Sequence, residues 1–368
     1  MTGNFGSPPL PHEAEIAVFG PGYGETIAVH AGNEVWMIVD SAVSADTGRP
    51  MVLDYLGQLG VDPKTAVRKL VVSHWDTDHI LGLANTLEIC KSAQVVMPSA
   101  LFEDEVVKGI CNISRGAGPV NPASEIQDVF AKIIAMPDDC VEYAVVDRDL
   151  VLGPVAEHVR FTCLSPTDGE ISRCVERFTQ RNRRSSRKRY HLPKPSENSV
   201  SIVLHCRFGE HHSAILGGDL EVQKSSDEVG WHCVIKRSKA VRFSKASCYK
   251  IAHHGSPTSD CDEIWSELLT ANPFAAVTPY ARGVTPRPNL DDIERILKHT
   301  SLAWLTAPPS DPPASVPPGG YWNLASIQKV AVPPPQGAVR FRVDMTDPHG
   351  VWRPEEFGNA KNLAEWLK

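Results

Sequence analysis

Between residues 74 and 79 the chain places two imidazoles and two carboxylates in a single short run, His74-Trp75-Asp76-Thr77-Asp78-His79. The run follows directly on Lys69-Leu70-Val71-Val72, whose apolar, β-branched character reads as a buried strand. Four ligand-type side chains then leave one strand end together and enter one small volume. Asp76 and Asp78 held so close repel each other unless a cation neutralises them. A polar turn with two stray histidines is the plainer alternative, but it leaves that repulsion uncompensated. The cluster reads as a metal site.

Two later segments have the same form. Ala214-Ile215-Leu216-Gly217-Gly218-Asp219 is an apolar strand, two glycines and a carboxylate. Glycine permits close backbone approach, so Asp219 can reach an ion. Tyr249-Lys250-Ile251-Ala252-His253-His254-Gly255-Ser256 is again a strand-like run ending in ligands. Alone, Gly-Asp is a common turn and His-His a common buried pair; the signal lies in the set and its order.

This set resembles the metallo-β-lactamase superfamily, in the branch typified by the C-terminal domain of ComEC-type competence proteins. The resemblance rests on His-x-Asp-x-Asp-His, Gly-Asp and His-His-Gly-Ser. It extends to Gly22-Tyr23-Gly24-Glu25-Thr26 with Trp36-Met37-Ile38-Val39-Asp40-Ser41, to the Asn198-Ser199 strand, and to a closing helix between Pro288 and Leu297. It covers roughly residues 15–300. Most of the superfamily has His where this chain has Asp76, and the ComEC-like branch has Asp. The usual separate histidine before Gly-Asp has no clear counterpart; Glu197, Asn198 and His191 stand open for that role. Val284-Thr285-Pro286 replaces a Gly-His-Pro common near the last strand.

The expected fold is α+β, a four-layer αββα metallo-β-lactamase arrangement over 15–300. It carries an irregular, insertion-rich stretch at 104–195, with a Pro-rich connector and packed tail over 301–368. Helical spacing marks residues 46–59, 79–92, 261–271, 290–299 and 359–367. Strands are expected at 15–20, 26–31, 34–39, 68–73, 94–97, 141–146, 159–164, 201–207, 213–217, 248–252 and 275–278, with an edge strand at 338–343.

At 368 residues and 42% hydrophobic content, the chain can bury a large core. A net charge of −7 gives no global pull towards nucleic acid. Nine scattered cysteines, with no C-x-x-C pair, argue against a disulfide framework. The N-terminus lacks signal-peptide regions, and no apolar run approaches the ~20 residues of a membrane span. A cytoplasmic location without membrane attachment is expected. Between Arg173 and Arg189 eight basic residues face one acid, Glu176. Such a block is a solvated face or a phosphate-contacting arm, and Phe178 and Tyr190 could stack on bases.

The resemblance implies two divalent cations, Zn²⁺ or Mn²⁺. His74 and Asp76 would hold one, Asp78 and His79 the other, with Asp219 between them and His254 as the remaining ligand; the roles of His253 and His254 could be exchanged. A hydroxide shared between the cations would attack, oriented by Asp78, with His253 serving the leaving group. Lys250, Ser256, Arg183, Arg184 and Arg187 are candidate substrate contacts. The implied activity is phosphodiester hydrolysis, with nuclease the leading form and nucleic acid the partner. A small-molecule phosphodiesterase, a lactone or acyl hydrolase, and a metal-binding non-catalytic subunit of a larger assembly with a protein partner stay open.

Overall fold

In Glu13–Gly20 (β1), Ile16 and Val18 alternate with Ala17 and Phe19, and all four are buried. A strand apolar on both faces belongs in a sheet covered on both sides. The computed structural model describes residues 5–20, 24–104, 106–108, 110, 122–156, 158–185, 197–223, 228–239, 244–280, 286–308 and 336–367. Among these residues it has two eight-stranded sheets. The first runs Arg353–Gly358 (β15), Gly337–Asp344 (β14), β1, Thr26–His30 (β2), Trp36–Val39 (β3), Val67–Val71 (β4), Gln94–Pro98 (β5) and Val141–Ala144 (β6). The second runs Lys361–Asn362 (β16), Ala303–Leu305 (β13), Leu269–Val277 (β12), Ala246–Lys250 (β11), His212–Leu216 (β10), Val203–Phe208 (β9), Val159–Ser165 (β8) and Asp149–Leu150 (β7).

Three apolar clusters give the layer order. Ile16, Val18, Val29, Met37, Phe161, Leu204 and Cys206 fill the space between the sheets. Phe19, Trp36, Ile38, Leu70 and Val95 carry the opposite face of the first sheet, under Tyr55, Leu56, Leu87, Phe130 and Phe178 from its helices. Ile215, Tyr249, Ala275 and Val277 do the same for the second sheet, under Trp231, Val234, Ile293 and Ile296. Helix, sheet, sheet, helix is the αββα order expected. The pairings β3–β4–β5–β6 and β10–β11–β12–β13 are parallel, so each sheet brings several strand C-termini to one edge.

Several element boundaries differ from those expected. The helix at 46–59 shrinks to Met51–Gln58 behind Pro50, because proline disfavours helical backbone in the residue before it. The helix at 79–92 breaks into Thr77–Ile80 and Leu83–Ile89 around Gly82, whose φ is +82°. There a Cβ would lie 2.7 Å from Val43, so the break is a packing requirement. The helix expected at 261–271 is shorter: it spans 262–268, ends in the π-helical turn Ile264–Leu268, and passes straight into β12. β14 is an interior strand, paired with β1 and β15. Of the helix expected at 359–367, only Leu363–Leu367 is helical, as a 3-10 helix, and Lys361–Asn362 forms β16. The basic block begins on an 18-residue helix, Asp168–Ser185, whose inner face buries Cys174 and Phe178; residues 186–189 and the Pro-rich stretch 309–335 lie outside the described residues. Among the described residues the eight cysteines are free, and no helix is long and apolar enough to cross a membrane.

His30, buried on β2, has Nδ1 2.8 Å from the carbonyl oxygen of Glu13. Burial pushes its pKa down from 6.5 to about 4. The unfolded chain therefore binds this proton more strongly, and unfolding takes it up. The contribution is complete above pH 6.5 and is lost as the pH falls through the folded value. Chemical denaturation from pH 7 to 4 should show a slope that His30→Gln flattens by about 3 kcal/mol across the window. An unchanged slope would contradict it.

Candidate metal centre

The donors stand where parallel strands end. β3 delivers Asp40, β4 delivers His74 to His79, β10 delivers Asp219 and β11 delivers His254. The two sheets are tied beside the site by Ile202 N–H donating to Ser73 O at 2.9 Å. Gly24 has φ +103°, and a Cβ there would meet Asp78 O at 2.4 Å. Only glycine lets the backbone at this position approach the ligand loop so closely, where Glu25 N–H donates to the same carbonyl at 3.0 Å.

Ligand atoms of Asp78, His79, Asp219 and His254 all lie within 4.8 Å of one another. Asp219 Oδ2 is 3.3 Å from His79 Nε2, 3.8 Å from His254 Nε2 and 3.9 Å from His74 Nε2. Asp76 Oδ2 is also 3.9 Å from His74 Nε2, so Asp219 faces both groups of donors. All six residues expected as ligands are thus brought together.

Behind them lies a supporting layer. Asp40 accepts from Ser73 N–H at 2.7 Å and Ser73 Oγ at 2.6 Å, and its Oδ2 lies 2.7 Å from His79 Nδ1. With Nδ1 donating to Asp40, His79 turns Nε2 towards the cluster. His254 Nδ1 contacts Thr278 O and Oγ1 at 3.2 and 3.1 Å, its Nε2 lies 3.1 Å from Asp78 Oδ2, and Tyr280 stacks on its ring. Glu25 accepts from Thr278 Oγ1 at 2.7 Å and pairs with Lys250.

Charge in the cluster is tightly coupled. Burial alone would lower the pKa of His79, but Asp219, Asp78, Asp40 and Glu25 hold it well above the ordinary imidazole range. His254 is raised against burial by Asp219 and Asp78. His74 is lowered by burial and by His79. Burial would raise Asp78 and Asp219, yet the neighbouring imidazoles hold both below the ordinary carboxylate range. Even so, His74 Nε2, His79 Nε2 and Asp219 Oδ1 are buried without a hydrogen-bond partner among the described residues. Orphaned buried polar atoms are costly, and a cation satisfies them together. Imidazole nitrogens mixed with carboxylate oxygens suit a divalent ion.

Other expected contacts land elsewhere. Lys250 is fully buried, with Nζ paired to Glu25 and 4.0 Å from Asp219 Oδ1; it faces the support layer and cannot meet a substrate phosphate. Ser256 is buried and caps the turn Pro257–Ser259 through Thr258 N–H. Phe178 is completely buried beside Trp75 and has no face for a base. His253 stands at the rim, its Nε2 3.2 Å from Asn198 Nδ2 and its Nδ1 3.1 Å from Ser259 Oγ. Asn198, left open as a ligand, is therefore engaged with His253. Arg187, Tyr190 and His191 lie outside the described residues, as do the side chains of Arg183, Arg184 and Glu197. Glu25, Thr278 and Tyr280 join the site without a motif of their own to mark them. Thr278 carries the one available signal, a polar residue directly after an apolar strand.

No family model matches the chain, and no curated protein matches it in sequence. Similar solved structures include a Cronobacter sakazakii metallo-β-lactamase with an HARLDQ motif. It is 15% identical, with 65% of this chain and 74% of that one covered and a TM-score of 0.35. The metallo-β-lactamase SMB-1, solved with mercaptoacetic acid, is 14% identical over 67% and 80%, at 0.33. A metallo-β-lactamase from Pontibacter korlensis is 13% identical over 61% and 77%, at 0.29.

Because His79 and His254 hold protons tightly, a cation must displace them, so metal uptake should release protons and weaken as the pH falls. Calorimetry of Zn²⁺ or Mn²⁺ binding in buffers of different ionisation enthalpy should show that release. Asp40→Asn, which touches no cation, should weaken affinity about 10- to 100-fold. Affinity independent of pH and of Asp40 would contradict this assignment.

Proposed function

We propose that this chain is a metal-dependent hydrolase of phosphodiesters, with nuclease activity the leading form. One observation carries the reading: three buried donor atoms, on His74, His79 and Asp219, have no hydrogen-bond partner among the described residues and belong to a cluster whose carboxylates need neutralising. Two divalent cations held by His74, Asp76, Asp78, His79, Asp219 and His254 would activate water and polarise the phosphoryl oxygens.

The chain's own groups divide the remaining work. Asp40 and Thr278 orient His79 and His254, so the donor geometry is set before substrate arrives. Asp78 offers a carboxylate, kept ionised by its imidazole neighbours, to orient the attacking water. His253 is only partly buried, and its two ring nitrogens contact Asn198 and Ser259. To serve the leaving oxygen it would exchange one of these contacts for the substrate. Phosphoryl over acyl substrates is favoured by the carboxylate-rich donor set, which suits harder ions, and by the arginines of the helix Asp168–Ser185. The resemblance to ComEC-type domains points the same way.

Protein reconstituted with Mn²⁺ or Zn²⁺ should cleave DNA and bis-p-nitrophenyl phosphate, and a chelator should abolish both activities. Asp78→Ala should lower kcat/KM by about 100-fold or more. For DNA alone, the rate at low substrate should fall steeply with salt as counterion release is suppressed. Metal-loaded protein that cuts neither substrate would refute the phosphodiester reading.

A further inference from the structure

A lysine buried away from water must have its charge answered inside the protein. Lys250, at the end of β11, is such a residue. Its Nζ donates to Gly218 O at 3.3 Å, lies 4.0 Å from Asp219 Oδ1 and pairs with Glu25, which stands just before β2 of the other sheet. An apolar side chain would fill the same space without desolvating a charge, so packing does not account for an ammonium here.

Glu25 divides its two oxygens. Oε1 lies against the ammonium, as an ion pair without hydrogen-bond alignment, and 3.9 Å from His79 Nδ1. Oε2 accepts from Thr278 Oγ1 at 2.7 Å. That hydroxyl has one hydrogen, and Glu25 takes it. Towards His254 Nδ1, 3.1 Å away, Thr278 Oγ1 can then only accept, as can the carbonyl oxygen of Thr278 at 3.2 Å. Nδ1 is thereby held as an N–H nitrogen, and Nε2 is left facing Asp78 and Asp219 at 3.1 and 3.8 Å. Without the carboxylate, the hydroxyl would be free to turn its hydrogen onto Nδ1 and oppose that arrangement.

We propose that Glu25 and Lys250 are positioning residues of the metal centre: Glu25 fixes, through Thr278, which nitrogen of His254 meets the cation, and Lys250 supplies the counter-charge that holds Glu25 in place. The buried lysine so acquires a role outside substrate binding, and the orientation of a ligand on the second sheet is set by a residue of the first. The proposal rests on the metal-centre reading and not on the choice of substrate.

Affinity for Zn²⁺, measured by competition with a chromophoric chelator, tests it. Glu25→Gln leaves one acceptor oxygen for two partners and should weaken binding about tenfold. Thr278→Val should weaken it similarly, while Thr278→Ser, which keeps the hydroxyl, should match wild type. Lys250→Met should also weaken binding about tenfold, although loss of a positive charge 4.0 Å from Asp219 would by simple repulsion tighten it. In Glu25→Gln combined with Lys250→Met no buried charge is left unpaired and the amide oxygen is free for Thr278, so most of the lost affinity should return. That pair of substitutions stands in for Lys250→Met if the single variant does not fold. Tighter binding by Lys250→Met, no recovery in the combined variant, or equal affinity in Thr278→Val and Thr278→Ser would overturn the assignment. If wild type binds no metal, the metal-centre reading fails separately, and the Nδ1–H proton of His254, followed by ¹⁵N-edited NMR, decides. Faster exchange with solvent in Thr278→Val and Glu25→Gln than in wild type and Thr278→Ser sustains the assignment, and equal exchange overturns it.

Discussion

The carboxylate of Asp219 reaches from the second sheet to imidazoles carried by the first. It lies 3.3 Å from His79 Nε2 and 3.9 Å from His74 Nε2, while His254 and Lys250 approach from its own sheet at 3.8 and 4.0 Å. Asp78 makes the reverse reach, its Oδ2 lying 3.6 Å from His79 Nε2 and 3.1 Å from His254 Nε2. The position of Asp219 is fixed by backbone: Gly218 sits at φ +50°, where a Cβ would strike Ser201 and Ile202, and Asp219 N–H donates to Ser201 Oγ at 2.9 Å. The site is therefore a property of how the two sheets pack, and three apolar layers hold that packing.

The surrounding chain is bent to serve this contact. Asp40, His253 and His254 all adopt positive φ, which non-glycine residues hold only where neighbours over-determine it. Asp40 is locked by Ser73 and His79. The His253–His254 turn is gripped by His253 N–H donating to Gly218 O at 3.0 Å and by the guanidinium of Arg295, which is held in turn by Asp260 and Asp292 and donates to Gly255 O. Arg295 thus ties the helix Leu290–Leu297 to a ligand-bearing turn far from it in sequence. The layered fold supplies rigidity, and the strand ends carry the strained groups that give the site its chemistry.

Much of this was legible in the chain. Apolar runs identified most strands, and the crowding of His74, Asp76, Asp78 and His79 announced a site because local spacing alone brings those charges together. What escaped were contacts between distant residues and choices between competing local preferences. Thr278 and Glu25 bond across 253 positions, and no window of sequence contains both. The role of Lys250 misled for the same reason, since its partner Glu25 stands just before β2 of the other sheet. Phe178 looked available within a basic block, but its spacing from Cys174 puts both on the buried face of one helix. Pro50 and Gly82 ended helices that apolar spacing alone would extend, and β12 claimed residues with helical spacing because a parallel strand position was open between β11 and β13.

Orphaned donors from both sheets would hold divalent cations around Asp219. Anomalous diffraction from crystals grown with Zn²⁺ or Mn²⁺ tests it most directly. Strong peaks are expected within about 2.0–2.3 Å of His79 Nε2, His254 Nε2 and an Asp219 oxygen, with Asp219 also facing the cation of His74 and Asp76. Crystals from metal-containing solution with no peak at Asp219, or with density only at surface residues, would contradict it.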